Sequence, residues 1–373
     1  MADVVGIICE YNPFHEGHAY QLKEAVARTG AGAAVCVMSG DFVQRGEPAI
    51  MSKWIRAKAA VAGGADLVIE LPFLFACNNA EWFARGAVRI LDGLAVVGAL
   101  SFGSETGRGE EIYAAAAHMV SNPAFEAAVR AHMQQGVSYP RARAAALREV
   151  GGPKAARAVR GPNDSLAAEY CRQLIQSKSR MEICAVQRLA GVPTASEIRG
   201  RMQEAGEGTV YPEQILPLLA YRLAEAARRG APLSGILSAT EGLENRLAAA
   251  VRKAGSYEEA VRLTKSKRYT RTRVCRLMIH TLLGITKADA AAADGALYAR
   301  VLAFSEKGAA LLKRIRKAGG QMPVFTNASK VQGLTENQRR LLAIDALAAD
   351  LYRVLSKGAL GGFDDTKRNP NSA

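Results

Sequence analysis

The stretch that most constrains this chain is its opening apolar run, Val4-Val5-Gly6-Ile7-Ile8-Cys9, which breaks at Glu10-Tyr11-Asn12-Pro13 and continues into Phe14-His15-Glu16-Gly17-His18. A short continuous apolar run rich in β-branched residues suits a strand covered on both faces of a parallel sheet. Pro13 ends that strand. Beyond the turn, Tyr20, Leu22, Ala25, Val26 and Ala27 recur at roughly helical spacing. Gly17 and His18 therefore fall near a helix N-terminus, whose free N–H groups and dipole favour phosphate.

His15 and His18 flank that site. Attack on the α-phosphate of a nucleotide needs donors aimed at charge spreading over the phosphoryl oxygens as pyrophosphate leaves. Two imidazoles three residues apart, with a glycine between them that lets backbone approach the ligand, meet that need. Two other readings stand beside it: a metal pair, which would want a third Cys, His or carboxylate, and histidines packed in the core. His118, His132 and His280 are remote in sequence and complete no spacing motif.

Further strands follow at Ala33–Met38, Asp66–Leu71, Val96–Phe102 and Met181–Val186, giving an α/β fold with a Rossmann-like parallel sheet. The loop Asp41 to Pro48 carries polar groups between two glycines, and Pro48 suits the first turn of a helix running to about Ala62. On that helix Ile50, Met51, Trp54, Ile55 and Ala59 form an inward stripe, leaving Lys53, Arg56 and Lys58 on a solvated face. Asn78 or Asn79 caps a helix reaching Leu91, and alanine-rich text from Glu110 to about Val150 reads as helices broken at Asn122-Pro123 and Gly136 to Pro140.

A second motif, Thr194-Ala195-Ser196-Glu197-Ile198-Arg199, follows the last of these strands. Hydroxyls and a cation near a helix start can hold a triphosphate opposite the histidines. Thr194 and Glu197 also have the separation of a capping box, and both readings hold together. Likewise, Gly161-Pro162-Asn163-Asp164 reads as a helix N-terminus.

The phrase GIICEYNPFHEGH resembles the opening of the bacterial tRNA(Met) cytidine acetate ligase family, a branch of the HxGH nucleotidyltransferase superfamily. SGDFVQRGEPA (39–49), the Pro162-Asn163 pair, the serine/threonine motif ending in Ile198-Arg199, and the phrases at 241–246, 268–273 and 298–302 extend the resemblance over most of residues 4 to 355. It implies an enzyme that turns ATP and acetate into acetyl-adenylate and moves the acetyl group to N4 of the wobble cytidine of elongator tRNA(Met). It carries over His15, His18, Ser196 and Arg199 as catalytic or phosphate-contacting residues. Its implied ATP contacts are Ile7, Ile8, Cys9, Glu10, Tyr11, Asn12, Pro13, Phe14, Gly17, Tyr20, Gly103, Asn163, Arg188 and Leu189. Two departures stand out: the segment Leu189 to Pro193 is shorter than in the family, and Glu16 replaces an expected Asn.

The implied organisation is an ATP-binding domain over 1–200 with a helical insertion near 105–160, a basic α-helical tRNA-binding domain over 201–360, and a disordered tail over 361–373. From about Gly200 the strands stop, and Ala296 to Ile315 is among the helical patterns. Formal charge supports a polyanionic partner: 49 Lys plus Arg against 35 Asp plus Glu give +14. Between Arg246 and Arg276 the acidic residues are Glu258 and Glu259 alone, and Lys265, Lys267, Arg268, Arg271, Arg273 and Arg276 surround Tyr269. That cluster suits RNA phosphates and one stacked base; a solvated helix face is the plainer reading.

The six cysteines form no C-x-x-C pair and read as small buried hydrophobes in a reducing compartment. No apolar run reaches the ~18 residues of a membrane span, and the strand begins too early for a signal peptide, so a cytoplasmic protein is expected. Mg²⁺ is expected with ATP, and no dedicated metal cage is visible. Two alternatives to the ligase remain: a nucleotidyltransferase that adenylylates a small metabolite, for which the basic segment is surplus, and a non-catalytic RNA-binding protein with a degenerate nucleotide site.

Overall fold

Every residue of Val4–Cys9 (β1) is buried, because β1 lies inside a seven-stranded sheet with helices on its faces. The computed structural model describes residues 3–205, 210–320, 322–356, 364–368 and 370. The remaining strands are Ala33–Ser39 (β2), Phe42–Val43 (β3), Glu47–Pro48 (β4), Leu67–Leu71 (β5), Ala99–Ser104 (β6), Glu182–Gln187 (β7), Ala299–Phe304 (β8) and Val324–Phe325 (β9). Sheet order is β7-β6-β1-β2-β5-β8-β9, with β3 and β4 forming a separate hairpin. The pairs β1–β2, β1–β6, β2–β5 and β6–β7 are all parallel. The chain thus steps outward from β1 through β2 to β5, then returns to the other side of β1 for β6 and β7. Such a reversal opens a crevice at the strand C-termini, here beyond β1 and β6.

Helices Gly109–Ser121, Ala124–Gln134 and Tyr139–Ala158 fill the interval between β6 and β7, where a helical insertion was expected. Among the described residues no helix is long and apolar enough to cross a membrane. All six thiols are free, five of them buried and Cys184 partly so.

Four expectations need correction. First, strands do not stop at residue 200. β8 pairs antiparallel with β5, and β9 extends the sheet beyond it. The half expected to be a separate helical domain over 201–360 thus supplies one edge of the same sheet. Second, Pro48 pairs with Phe42 in the small hairpin, and the helix begins only at Lys53 after the Ser52 cap.

Third, the inward face of helix Lys53–Ala62 carries Lys53 and Arg56 beside the expected Trp54, and Ile55 turns outward. Lys53 and Arg56 are each 1% exposed, whereas Ile55 is 51% exposed. Lys53 Nζ meets Glu70 Oε1 at 2.7 Å and Asp365 Oδ2 at 2.9 Å, and Arg300 Nη1 meets the same Asp365 oxygen at 2.6 Å. Buried charges are tolerated when paired in this way. Fourth, the tail is not wholly disordered. Asp365 is buried, and it also accepts from Trp54 Nε1 at 3.0 Å. Burial disfavours its charged form, yet Lys53 and Arg300 hold the carboxyl below its ordinary range. Residues 361–363, 369 and 371–373 of that expected tail lie outside the described residues.

Candidate active site

The turn after β1 is held from beneath by Arg56, whose guanidinium donates to the carbonyls of Glu10, Ser39, Gly40 and Met51. This single buried cation ties the ends of β1 and β2 to the helix carrying it. Asn12 Oδ1 accepts from Ile50 N at 2.8 Å, and Glu10 Oε1 accepts from Gln44 N at 2.8 Å. The backbone entering the His15 turn is therefore fixed through backbone-directed bonds that a local sequence pattern does not display.

Helix Glu16–Thr29 begins with a capping box made of the two histidines. His15 Nδ1 accepts from Gly17 N at 3.1 Å, and His18 Nδ1 accepts from His15 N at 3.3 Å. The three-residue spacing is thus that of an N-cap and N3 pair, with imidazoles in the places usually taken by hydroxyl and carboxylate. Because each Nδ1 accepts, each neutral ring carries its proton on Nε2. The rings lie 3.8 Å apart between centroids, tilted by 31°.

Burial, then the neighbouring His15 and Arg188, push the His18 pKa down to about 3. His15 is lowered too, by burial and Arg188 against the opposing charge of Glu16. His18 therefore remains a neutral Nε2–H donor at ordinary pH.

Both histidines line a cleft of about 520 Å³ at the switch point. Of the other expected contacts, Ile8, Cys9, Glu10, Tyr11, Asn12, Gly17, Tyr20, Gly103, Asn163, Arg188, Leu189, Ser196 and Arg199 also line it. Ile7, Pro13 and Phe14 do not. Ile7 is fully buried in β1, and the Phe14 ring backs Tyr11 and His18 at centroid distances of 4.9 and 5.8 Å.

The second motif forms its capping box: Thr194 Oγ1 accepts from Glu197 N, and Glu197 Oε2 from Thr194 N. Arg199 donates to Asn12 O at 2.6 Å and to Ser196 Oγ at 3.0 Å, joining the second motif to the turn after β1. Short as it is, the segment after Arg188 still contributes Leu189, Val192 and Pro193 to the cleft wall.

On the β6 side, Glu105 accepts from Asn163 N at 3.0 Å, Asn163 Nδ2 at 2.7 Å and Asp164 N at 2.8 Å. It thereby fixes the start of helix Pro162–Ser177 and leaves Asn163 Oδ1 as the free acceptor of its amide. Gly103 lies beside Gln21, which also lines the cleft, and an added Cβ would only touch that side chain, at 3.8 Å.

The arginines of the basic cluster are engaged in contacts within the chain. Arg268 pairs with Glu241, Arg271 with Glu258 and Glu47, and Arg273 bonds Thr240 Oγ1 and stacks over Tyr269. Arg276 turns inward and donates to the carbonyls of Gln44 at 3.0 Å and Asn78 at 3.2 Å. Lys265 and Lys267 are exposed, and neither has an ion pair among the described residues. Sequence reasoning missed the site roles of Arg56 and Glu105, and it read Arg276 as an RNA contact, because their partners are backbone groups or lie far along the chain.

A family model described as HIGH Nucleotidyl Transferase matches residues 2–201 and 191–364. The chain is 34% identical over 390 residues to the tRNA(Met) cytidine acetate ligase of Caldanaerobacter subterraneus subsp. tengcongensis, covering 95% of this chain and 96% of that one. Its identity to the protein of the same name from Anoxybacillus flavithermus is 35% over 366 residues, covering 88% and 90%. The crystal structure of Thermotoga maritima TmcAL bound with alpha-thio ATP matches with a TM-score of 0.89 at 29% identity, over 99% of each chain. The apo form of that protein gives the same TM-score at 28% identity.

Proposed function

The chain belongs to the tRNA(Met) cytidine acetate ligase family within the HIGH nucleotidyltransferases, and from that premise we infer that it activates acetate with ATP and acetylates a cytidine of tRNA(Met). In the first step an acetate oxygen attacks the α-phosphorus of ATP, the bond to the bridging oxygen breaks, and pyrophosphate leaves with that electron pair. In the second, N4 of the cytidine attacks the acetyl carbon, AMP departs, and the amine loses a proton. We take the acceptor to be the wobble cytidine of the elongator tRNA(Met).

The observation that carries the first step is the paired Nε2–H donors of His15 and His18, set by their own helix cap at one wall of the cleft. Donors of fixed orientation stabilise charge on the α-phosphoryl oxygens without reorganising during reaction. Arg188, Ser196 and Arg199 face the same cleft and suit the β- and γ-phosphates. Mg²⁺ would arrive with ATP and offset charge on the leaving pyrophosphate. That mode fits the donor set, since among the described residues no group of three or more His, Cys, Asp or Glu could hold a metal.

Activation is assigned to the 1–200 portion and tRNA docking to the basic surface of 201–360, led by Lys265 and Lys267, with Arg268 and Arg271 available where RNA phosphates displace their carboxylates and Arg273 where one displaces the Thr240 hydroxyl. A cytoplasmic location follows from the need for ATP and tRNA. The test incubates the protein with ATP, Mg²⁺ and labelled acetate, with and without tRNA. AMP, pyrophosphate and label in N4-acetylcytidine are expected. ADP as product, or label that never reaches the tRNA, would overturn the reading.

A further inference from the structure

The hairpin of β3 and β4 presents one cation to the cleft that nothing so far has used. Phe42 pairs with Pro48 and Val43 with Glu47, and Gly46 N donates back to Val43 O at 2.9 Å to close the turn. Gln44 is gripped on both sides, its N–H by Glu10 Oε1 at 2.8 Å and its carbonyl by Arg276 at 3.0 Å. Gly46 has φ of 79° and sits so close to the next layer that an added Cβ would lie 2.2 Å from Arg276 N. Glycine is required there on both counts. Arg45 stands between these two anchored residues.

Arg45 is exposed, lines the cleft, and has no ion pair or hydrogen bond among the described residues. Its backbone is fixed while its guanidinium is free, which is the arrangement of a group awaiting an anion. Arg199 shares this end of the cleft. Burial, and next the Arg45 charge, lower the Arg199 pKa against Glu10 and Glu47.

Sheet order distinguishes the two arginines. Arg188 and Arg199 follow β7, on the β6 side of β1, whereas Arg45 follows β2 on the other side. The phosphate donors His15 and His18 follow β1 itself. A nucleophile must approach the α-phosphorus in line, from the face opposite the leaving pyrophosphate. With the phosphates on the β1 and β7 groups, the β2 side is where the attacking carboxylate enters. A guanidinium fork matches a carboxylate in two parallel hydrogen bonds.

We propose that Arg45 receives the carboxylate of acetate and sets it against the α-phosphorus. The proposal rests on the ligase reading above. Its test compares wild type, Arg45→Lys and Arg45→Gln in three measurements: acetate dependence of tRNA-free pyrophosphate release, ATP affinity by calorimetry without acetate, and acetylation of tRNA from saturating acetate. Removing a charged hydrogen bond to a carboxylate should raise the acetate KM of Arg45→Gln by roughly tenfold or more. Arg45→Lys keeps the charge and loses the fork, so it should fall between the two. ATP affinity and thermal unfolding should match wild type, because the side chain is exposed and bonds to no other described residue. An unchanged acetate KM with weakened ATP binding would assign Arg45 to the triphosphate and overturn the proposal. Loss confined to tRNA acetylation would assign it to RNA and overturn it equally. Absence of acetate-dependent pyrophosphate release in wild type would instead defeat the ligase reading, so the two failures are distinguishable.

Discussion

The backbone N–H of His15 donates to Nδ1 of His18 across 3.3 Å, so the imidazole that faces the cleft also closes the first turn of its own helix. These two roles sit on different ring nitrogens and can be separated. His18→Asn keeps an oxygen near Nδ1 for the cap but leaves nothing at Nε2. His18→Gln places an amide near Nε2 and loses the cap. His18→Asn should melt close to wild type yet release acetate-dependent pyrophosphate ~10² more slowly, the typical cost of one preorganised donor. His18→Gln should retain more of the rate at a lower melting temperature. Wild-type rates in the Asn variant would show that no donor acts at Nε2.

Arg56 offers a second test, because it is buried and every hydrogen bond it makes goes to a backbone carbonyl. Arg56→Met fills much of the volume but strands those acceptors. A loss of about 3 kcal/mol or more in urea unfolding is expected, since each buried unsatisfied group costs about 1–3 kcal/mol. ATP affinity should fall as well, through loosening of the turn at Glu10. A stable variant with wild-type ATP binding would show that the turn holds without this cation.

The acid limb of stability should bear the mark of His280. Its Nε2 lies 2.9 Å from Cys77 O and its Nδ1 3.1 Å from Ser238 Oγ. Burial lowers its pKa from 6.5 to about 4, with the bond to Cys77 O opposing and Arg276 adding. Between those two values the unfolded chain binds the extra proton. Stability is therefore lost as pH falls through that window, by up to about 1.4 kcal/mol per pH unit. His18 acts in the same direction; Asp41, raised by burial to about 6, acts in the other. Comparing urea unfolding of wild type and His280→Gln at pH 7, 6 and 5 isolates the single group. The variant should lose stability less steeply, and parallel limbs would contradict the assignment.

Lys265 and Lys267, exposed on the second half, give the last test. Replacing Lys265 and Lys267 with Gln should weaken tRNA binding and flatten its dependence on log salt by about one unit for each phosphate no longer neutralised. Pyrophosphate release in the absence of tRNA should persist. An unchanged salt slope would place the RNA elsewhere.

What the sequence revealed follows from the range of the interactions involved. β1 and the His15–His18 turn are legible because their signals are local: a continuous apolar run, a proline and helical spacing within about fifteen residues. The cap at Thr194 is local for the same reason. β8 was hidden because Ala299 and Ala303 dilute its β-branched residues and Arg300 breaks the apolar run. Arg300 is nevertheless 0% exposed, because Glu70 and Asp365 neutralise it from far along the chain. Lys53 misled for the same reason, and Arg56 because its partners are backbone carbonyls, which no side-chain pattern displays. A charge reads as solvated until its distant partner is known.

Asp365 also ties the burial of two cations to a distant part of the chain. It stands 312 residues beyond Lys53 and 65 beyond Arg300, and it binds both. Without this residue the two cations have Glu70, with Asp41 farther off at 3.8 Å from Lys53. Uncompensated charge of this kind resists burial. The two cations beside Glu70 therefore depend for their neutralisation on a residue far along the chain. A chain cut after Leu355 would keep all nine strands yet leave Lys53 and Arg300 to share the Glu70 carboxylate, so the far segment acts as counter-ion to a core it does not otherwise build.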